Sequence, residues 1–379
     1  SRIILSMTAT PKTFKRSDEN DEVEIVSTEE KRFGHEILYT DKSGVERRYT
    51  WDDAIRDGVI TNLQLVINYF DADLIQSVED DEEQERLERV ILEQGETTQE
   101  LMRLGDKITL TAKELSSCSA LLKAFEEGRA THVLTFHNRI ANSQRFAKAM
   151  LEMSQERNLD LFVSDVDAKT SRTKRENVFK DYRGSKLGII SSVNTISEGI
   201  NLKNTDVTMM VDSTSNSVRI VQCVGRAMRL YSYPLYLEIL EGEKKIPLEK
   251  LPNSCARVGV ILQCKDDDDK EFDIEIVNED GTFKMLCDDL KDVKKFTILA
   301  RKKTMGSVFI PMLPDEMDDI VYIIAELIYG TGLNTYDFFE RYVTVNHGCG
   351  RVLNNRDVDE DKILRNEEIS KEFLKEINI

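Results

Sequence analysis

Cysteine and histidine are scarce in this sequence of 379 residues. The six cysteines and four histidines show none of the paired spacings that bind structural zinc, so we predict no metal site. Long apolar runs are also missing: runs such as residues 320–325 are too short to span a bilayer, and we find no signal peptide. We therefore expect an intracellular protein with reduced thiols, cytoplasmic or nuclear, and leave a viral origin open.

Positive charge is in deficit across the chain as a whole. Fifty-two basic residues face seventy acidic ones, which gives a net charge of −18. Residues 131–230 are the exception, because fifteen basic and ten acidic side chains give them a net charge of +5. We expect the acidic stretches at residues 18–30, 79–88 and 266–280 and the acidic tail to be solvated, with a protein partner as the alternative for the acidic face of residues 74–128. The basic middle region suits contact with phosphate groups.

Short apolar runs alternate with helical patterns along residues 131–230. Strands are predicted at residues 131–136, 159–163, 186–191 and 207–212, and helices at residues 138–155 and 171–182. Such alternation is typical of an α/β domain with a parallel sheet. In sheets of this kind, functional residues gather at the carboxyl ends of the strands.

The patterns on both sides of this region differ. Residues 61–128 turn from a strand-like start to helical periodicity, which predicts a helical linker or insert. Residues 231–304 hold several β-like runs and a hairpin turn at 278–281, which predicts a β-rich insertion that a protein partner could also contact. Residues 307–310 are expected to resume the main sheet, with residues 257–262 as the alternative. Residues 313–379 are predicted to form a helical C-terminal region.

One polar pattern follows the strand predicted at 207–212. Gln222, Arg226 and Arg229 are spaced by four and three residues, so on a helix they leave from one face. Two guanidiniums on one edge form a forked clamp that suits a phosphate chain. Gly225 is expected to let this helix pack closely. A surface helix with two solvated arginines is the alternative.

Three further segments give this pattern a context. Residues 191–202 read Ser-Ser-Val-Asn-Thr-Ile-Ser-Glu-Gly-Ile-Asn-Leu, and the chain opens on a stretch that contains Met-Thr-Ala-Thr-Pro. In chain order, the opening, residues 191–202 and residues 222–229 resemble motifs III, V and VI of superfamily II helicases and translocases, and residues 136–139 resemble motif IV. The residues between motif III and the α/β region, which include Tyr49, Trp51 and Gly58, resemble the type I/III restriction-enzyme-like branch.

The resemblance implies a RecA-like second helicase lobe at residues 129–312, preceded by the end of the first lobe at residues 1–60. It also implies an ATP site between the two lobes. Arg226 and Arg229, helped by Gln222, would stabilise charge on the transferred phosphoryl group. The implied nucleotide-binding residues are Glu198, Gly199, Asn201 and Gly225. The family more often has aspartate where Asn201 stands.

Nucleic-acid backbone contacts are implied at the strand ends and at a basic cluster. Asn138 is expected to cap the helix that follows it, with the N-terminus of that helix facing phosphate. The full set of implied contacts is Ser191, Ser192, Asn194, Thr195, His137, Asn138, Arg139, Arg172 and Arg175. The residues implied to couple nucleotide state to lobe closure are Ser6, Thr8 and Thr10.

The Gly-Lys-Ser/Thr phosphate loop does not occur in the sequence, and no acidic pair ends an apolar strand. We therefore expect the chain to be the C-terminal part of a larger motor. ATP and Mg²⁺ would then be held mainly by a first lobe that lies outside these residues, and the chain alone would be inactive. The alternative is a helicase-like module that binds nucleic acid or protein without catalysis.

Overall fold

The computed structural model describes residues 13–16, 23–26, 39–40, 46–47, 50–69, 102–104, 108–193, 202–212, 214, 216–240, 245–252, 254–286, 295–312 and 317–347. Several residues singled out above lie outside these ranges: Ser6, Thr8, Thr10, Asn194, Thr195, Glu198, Gly199 and Asn201.

Eighteen strands and seven α-helices make up the described part. The strands are β1 (Thr13–Arg16), β2 (Val23–Val26), β3 (Tyr39–Thr40), β4 (Glu46–Arg47), β5 (Asn62–Tyr69), β6 (Met102–Leu104), β7 (Ile108–Leu110), β8 (His132–Phe136), β9 (Leu161–Val166), β10 (Leu187–Ser192), β11 (Val207–Met210), β12 (Ser232–Ile239), β13 (Ile261–Asp266), β14 (Glu271–Ile276), β15 (Phe283–Met285), β16 (Phe296–Lys302), β17 (Met305–Met312) and β18 (Val343–His347). The helices are α1 (Trp51–Arg56), α2 (Ala112–Glu126), α3 (Ile140–Glu156), α4 (Arg172–Gly184), α5 (Ser217–Ala227), α6 (Met317–Thr331) and α7 (Thr335–Tyr342).

A parallel sheet of seven strands forms the centre of the molecule. Its strand order is β18-β5-β17-β11-β8-β10-β9, and every neighbouring pair runs parallel. All five residues of β8 are buried, as expected for a parallel sheet that is covered by helices on both faces. The predicted α/β class and the four strands predicted between residues 131 and 212 are confirmed.

The helices cover the two faces of the sheet as separate layers. Apolar residues of α2 and α3 form one core with Val133 of β8 and Met209 of β11. Helices α4, α5, α6 and α7 form the other core with Leu134 and Met210, the next residues on the same strands. Successive side chains of a strand point to opposite faces, so each strand supplies both cores. Burial of one such side chain contributes about 1.5–3 kcal/mol.

Residues from both ends of the described chain complete this sheet. Strand β5, in the segment expected to be a linker, lies between β17 and β18. The same segment ends in α2, whose residues are buried in the sheet core. Near the start, α1 packs on α6, where a Cβ on Gly330 would lie 3.0 Å from the Trp51 ring. The hydroxyl of Tyr342 also donates to Asp52 at 2.8 Å. The residues on either side of 129–312 are therefore integral to the lobe.

The β-rich insertion is confirmed as a sheet of its own. Its antiparallel strand order is β12-β16-β13-β14-β15, and a third core, including Leu262, Ile274 and Ile298, lies against it. Strand β17 then returns to the parallel sheet beside β11, which confirms residues 307–310 as the resuming strand. The alternative, residues 257–262, runs instead into β13 of the insertion.

Two absences apply to the described residues. No helix there is long and apolar enough to cross a membrane. In the same ranges, no group of three or more His, Cys, Asp or Glu residues is placed to hold a metal ion.

Candidate functional site

The end of β8 is held by α5 and by the residue that follows β11. Arg219 of α5 donates from Nη1 to Asn138 Oδ1 at 2.7 Å and from Nη2 to the carbonyl of His137 at 2.8 Å. Asp212 Oδ2 accepts from the Asn138 backbone N–H at 2.6 Å and from the Asn142 amide at 3.4 Å. These bonds join the expected motif IV loop to the motif VI helix. Asp212 and Arg219 were not predicted, because their partners lie more than seventy residues away.

His137 does not face a ligand surface. Its side chain is fully buried, with Nε2 3.2 Å from Thr135 Oγ1 and the ring 5.0 Å from that of Phe146. Burial lowers the pKa of His137 to about 4, and the charge of Asp212 only partly offsets this effect. The imidazole is therefore neutral at physiological pH, and its predicted contact with nucleic acid is contradicted by its position.

Ser191 and Ser192 are also turned into the protein. Ser191 Oγ lies 2.9 Å from Ser143 Oγ, and Ser192 Oγ donates to the Thr135 carbonyl at 3.2 Å. Both serines are at most 1% exposed. Their hydroxyls hold β10 to its neighbours, so the predicted contact with nucleic acid does not fit the structure.

Asn138 and Arg139 exchange the positions expected of them. Arg139 occupies the N-cap of α3 and makes no side-chain cap hydrogen bond, whereas the side chain of Asn138 accepts from Arg219. The prediction that Asn138 caps the helix is therefore wrong. Arg139 is exposed at the helix N-terminus, where a guanidinium can reach an approaching phosphate.

The basic cluster before α4 divides into two kinds of arginine. Arg172 is 92% exposed at its side chain and forms an ion pair with Glu176 at 2.8 Å. Arg175 instead donates to the carbonyl of Thr170 at 3.1 Å and braces the turn in front of its own helix. Only Arg172 of this pair keeps its guanidinium in solvent.

Helix α5 places Gln222, Gly225 and Arg226 away from its apolar face. The helix begins at Asn216, whose Oδ1 accepts from the Arg219 backbone N–H at 3.0 Å. Its apolar face, Ile220, Cys223 and Val224, is buried in the core. Gln222 and Gly225 are half-buried, and Arg226 is only 3% exposed.

Arg229 lies beyond the helix that was predicted to carry it. The helix ends at Ala227 with Met228 as its C-cap, so Arg229 begins the connection to the insertion. Arg229 is still close enough to Arg226 for its charge to matter. Burial first, and then the positive charge of Arg229, lower the pKa of Arg226 to about 10. Arg226 is therefore charged at neutral pH and is repelled by Arg229, and an anion bound beside them would relieve this repulsion.

Close packing at α5 is provided by a different glycine from the one expected. A Cβ added at Gly225 would meet no atom of the described residues within 4 Å, so the close packing predicted at Gly225 is not seen among them. A Cβ added at Gly306 of β17 would instead lie 2.2 Å from the Ala227 carbonyl oxygen. Gly306 therefore allows β17 to touch the end of α5, while the side of α5 at Gly225 stays open.

A buried lysine fastens the segment after α5. Lys303 donates from Nζ to the Arg229 carbonyl at 2.9 Å and also to the Thr205 carbonyl. Burial lowers its pKa to about 7, although the carboxylate of Asp206 acts in the opposite direction. Because Thr205 lies just before β11, the backbone of Arg229 is held at the amino edge of the sheet. Sequence patterns did not predict this position, which lies at the opposite edge of the sheet from motif IV.

A nucleoside triphosphate with Mg²⁺ requires some groups that bind its phosphates and others that bind the metal. Two neighbouring guanidiniums beside the open face at Gly225 fit a phosphate chain. The described part offers no acidic cluster for the metal. The described residues therefore suit binding of the phosphates and do not suit binding of the metal.

One segment of the chain is similar to a known protein family. Residues 115–231 match the family model for the helicase conserved C-terminal domain. No curated protein sequence matches the chain. Among solved structures, the chain is similar to the ATP-dependent Type ISP restriction-modification enzyme LlaBIII bound to DNA, with a TM-score of 0.52 and 13% identity. That similarity covers 98% of this chain but only 20% of the enzyme, and it shows a shared fold.

Two weaker structural similarities were also found. One is to the Mycobacterium smegmatis helicase Lhr bound to ssDNA and AMP-PNP, with a TM-score of 0.35, 10% identity, and coverage of 71% of this chain and 22% of that one. The other is to the C-terminal domain of the DEAD-box protein Dbp5, with a TM-score of 0.32, 9% identity, and coverage of 83% and 99%.

Proposed function

We propose that the chain is the second lobe of an ATP-dependent nucleic-acid translocase or helicase, because residues 115–231 match the helicase conserved C-terminal domain. In this proposal Arg226 and Arg229 reach across the lobe cleft to the phosphates of ATP. They stabilise the charge that develops on the transferred phosphoryl group, so hydrolysis depends on lobe closure. Mg²⁺ neutralises phosphate charge when bound and is held by the other lobe.

The observation that carries this proposal is the paired arginines beside an open helix face. Arg226 is buried yet charged, Arg229 lies near it, and the space next to Gly225 is empty. A desolvated guanidinium interacts with an anion far more strongly than one in water. A solvated surface helix, the alternative reading of this pattern, would not bury Arg226 to 3% exposure.

Nucleic acid is proposed to lie at the carboxyl edge of the sheet. Arg139 and Arg172 present their guanidiniums to solvent there. Such groups contact the phosphate backbone and do not read bases. LlaBIII, which shares the fold, was captured bound to DNA, so DNA is the substrate to test first.

The test is nucleic-acid-stimulated ATP hydrolysis by the full-length protein. We expect Arg226→Ala and Arg229→Ala each to lower kcat by about 10³-fold while ATP binding persists, because the lost contact is made in the transition state. Arg341→Ala on α7 removes an exposed arginine that pairs with Asp52 of α1, and should leave kcat unchanged.

Two results would reject the motor. One is a full-length wild type without ATPase activity, and the other is an active wild type that both variants match. Either would favour a helicase-like module that binds nucleic acid or protein without turnover.

A further inference from the structure

A cavity of about 740 Å³ lies between the parallel sheet and the insertion. Its floor is the amino edge of the sheet, where β8 and β10 begin, and its roof is β12 together with the turn around Leu251. The described residues that line this cavity do not include Gln222, Arg226 or Arg229. The cavity is therefore a different site from the proposed ATP site.

Two buried polar side chains in its wall lack hydrogen-bond partners within the described part of the chain. Asn204 is 2% exposed, and neither its amide nitrogen nor its amide oxygen is paired. Arg301 is 9% exposed, and its Nε and Nη2 are likewise unpaired. Buried polar atoms are nearly always hydrogen-bonded in folded proteins, so two such groups at one cavity indicate a missing partner.

The nearest carboxylate does not satisfy Arg301. Asp206 Oδ2 lies 3.8 Å from Arg301 Nη2, and both Asp206 oxygens already accept from Thr131 and His132 at 2.6–3.2 Å. The Arg301 guanidinium stacks over Tyr233 at 3.9 Å, which fixes its plane at the cavity wall. Its Nε and Nη2 therefore remain without a hydrogen-bond partner among the described residues.

The rim of the cavity is positively charged. Arg183, Lys186 and Lys250 are exposed there and, with Arg301, outnumber the acidic lining residues Glu126 and Asp160. The carboxylate of Glu126 is neutralised by Arg157, whose Nη1 lies 3.2 Å away. An anion is therefore attracted to this opening.

Much of the remaining wall is apolar. It is formed by Phe125, Leu159, Leu187, Leu235 and Pro252. A concave, mainly apolar wall with a few convergent polar groups is typical of a site for a small organic molecule. An inorganic ion alone would leave this wall without a partner.

We propose that the cavity binds a small organic anion. Its acidic group pairs with Arg301, its apolar body lies against Leu187 and Leu235, and a hydrogen-bonding group meets the Asn204 amide. The acidic group is a carboxylate or a phosphate, since a guanidinium recognises both. Ligand bound there would join the insertion to the lobe, because Arg301 and Asn204 come from these two parts.

Fluorescence titration of the 379-residue chain with anilinonaphthalene sulfonate, an apolar aromatic anion, tests the proposal. We expect saturable binding that Arg301→Gln weakens by at least about tenfold, as loss of a charge-assisted hydrogen bond predicts. The double variant Lys186→Ala/Lys250→Ala should weaken it about threefold, as expected for exposed charges. Its matched control is Lys180→Ala/Lys284→Ala, which removes two exposed lysines outside the lining and should bind like wild type.

Competition separates the ligand classes. Displacement of the dye by phenyl phosphate or by benzoate identifies a phosphate or a carboxylate site. The proposal is overturned if binding does not saturate, if neither competitor displaces the dye, or if neutral phenylnaphthylamine binds as tightly. It is also overturned if the Lys186/Lys250 variant binds like wild type, an outcome that stays informative even if Arg301→Gln does not fold. Circular dichroism melting establishes folding of each variant.

Discussion

At the scale of single residues, Lys303 occupies an environment that is unusual for a lysine. It is buried, it donates to two backbone carbonyls, and its pKa falls from 10.5 to about 7. Between pH 7 and pH 10.5, Lys303 is therefore protonated in the unfolded chain and largely deprotonated in the folded protein. By linkage, the stability contributed at this position rises as the pH increases through this window, and below pH 7 the full cost of the buried charge remains.

This predicts a difference in pH dependence between the wild type and Lys303→Met. The free energy of unfolding of the wild type should rise relative to that of Lys303→Met from pH 7 to pH 9, by at most about 1.4 kcal/mol per pH unit. Urea unfolding at several pH values measures this difference. Lys302→Met, on the half-exposed neighbour that pairs with Asp273, is the control and should run parallel to the wild type. Parallel curves for Lys303→Met would show that the lysine is not desolvated in the native state.

At the scale of elements, helix α5 is positioned by one glycine and exposes another. We expect Gly306→Ala to destabilise the protein by about 1–3 kcal/mol, because its Cβ would collide with the Ala227 carbonyl and push β17 from the helix. Gly225→Ala should stabilise it by up to about 1 kcal/mol, since alanine favours the helix and meets no neighbour. Thermal melting of the two variants compares one added methyl group at the packed end of α5 with one at its open side.

The open side at Gly225 also connects stability to function. If the full-length protein places ATP or its first lobe against this face, Gly225→Ala should lower ATPase activity although it raises the melting temperature. Unchanged activity would mean that the space at Gly225 stays empty when the lobes close.

The secondary-structure elements also show which features sequence patterns can predict and which they cannot. Local signals predicted the strands and helices between residues 131 and 230, because hydrophobic period and caps act over a few residues. The patterns could not predict that His137 and Ser192 turn inward, since strand ends look alike whether their hydroxyls and imidazoles face solvent or a neighbouring strand. They also missed Asp212 and Arg219, whose bonds depend on how β8, β11 and α5 are brought together. Residues 194–201 and the opening segment stay predictions.

At the scale of the whole molecule, the lobe extends well beyond the segment that matches the helicase family model. Residues 115–231 contain β8, β9, β10 and β11, but β5, β17 and β18 come from outside them. Helix α6, which covers α5, is also outside. The matched segment alone would leave β11 as an unpaired edge and one core uncovered.

We therefore expect a fragment of residues 115–231 to melt without a cooperative transition, whereas a fragment of residues 50–347 should melt cooperatively. Circular dichroism melting and the dispersion of amide resonances measure this difference. A cooperative transition in the short fragment would mean that the three outer strands are dispensable for the fold.

The place of β5 between β17 and β18 has a consequence for protein synthesis. A ribosome makes β5 before almost all of the lobe and makes both of its sheet neighbours after it. During that interval β5, which is apolar and buried in the finished sheet, has no strand to pair with and offers a free edge to other nascent chains. We therefore expect that slowing translation between β5 and β17 lowers the yield of folded protein.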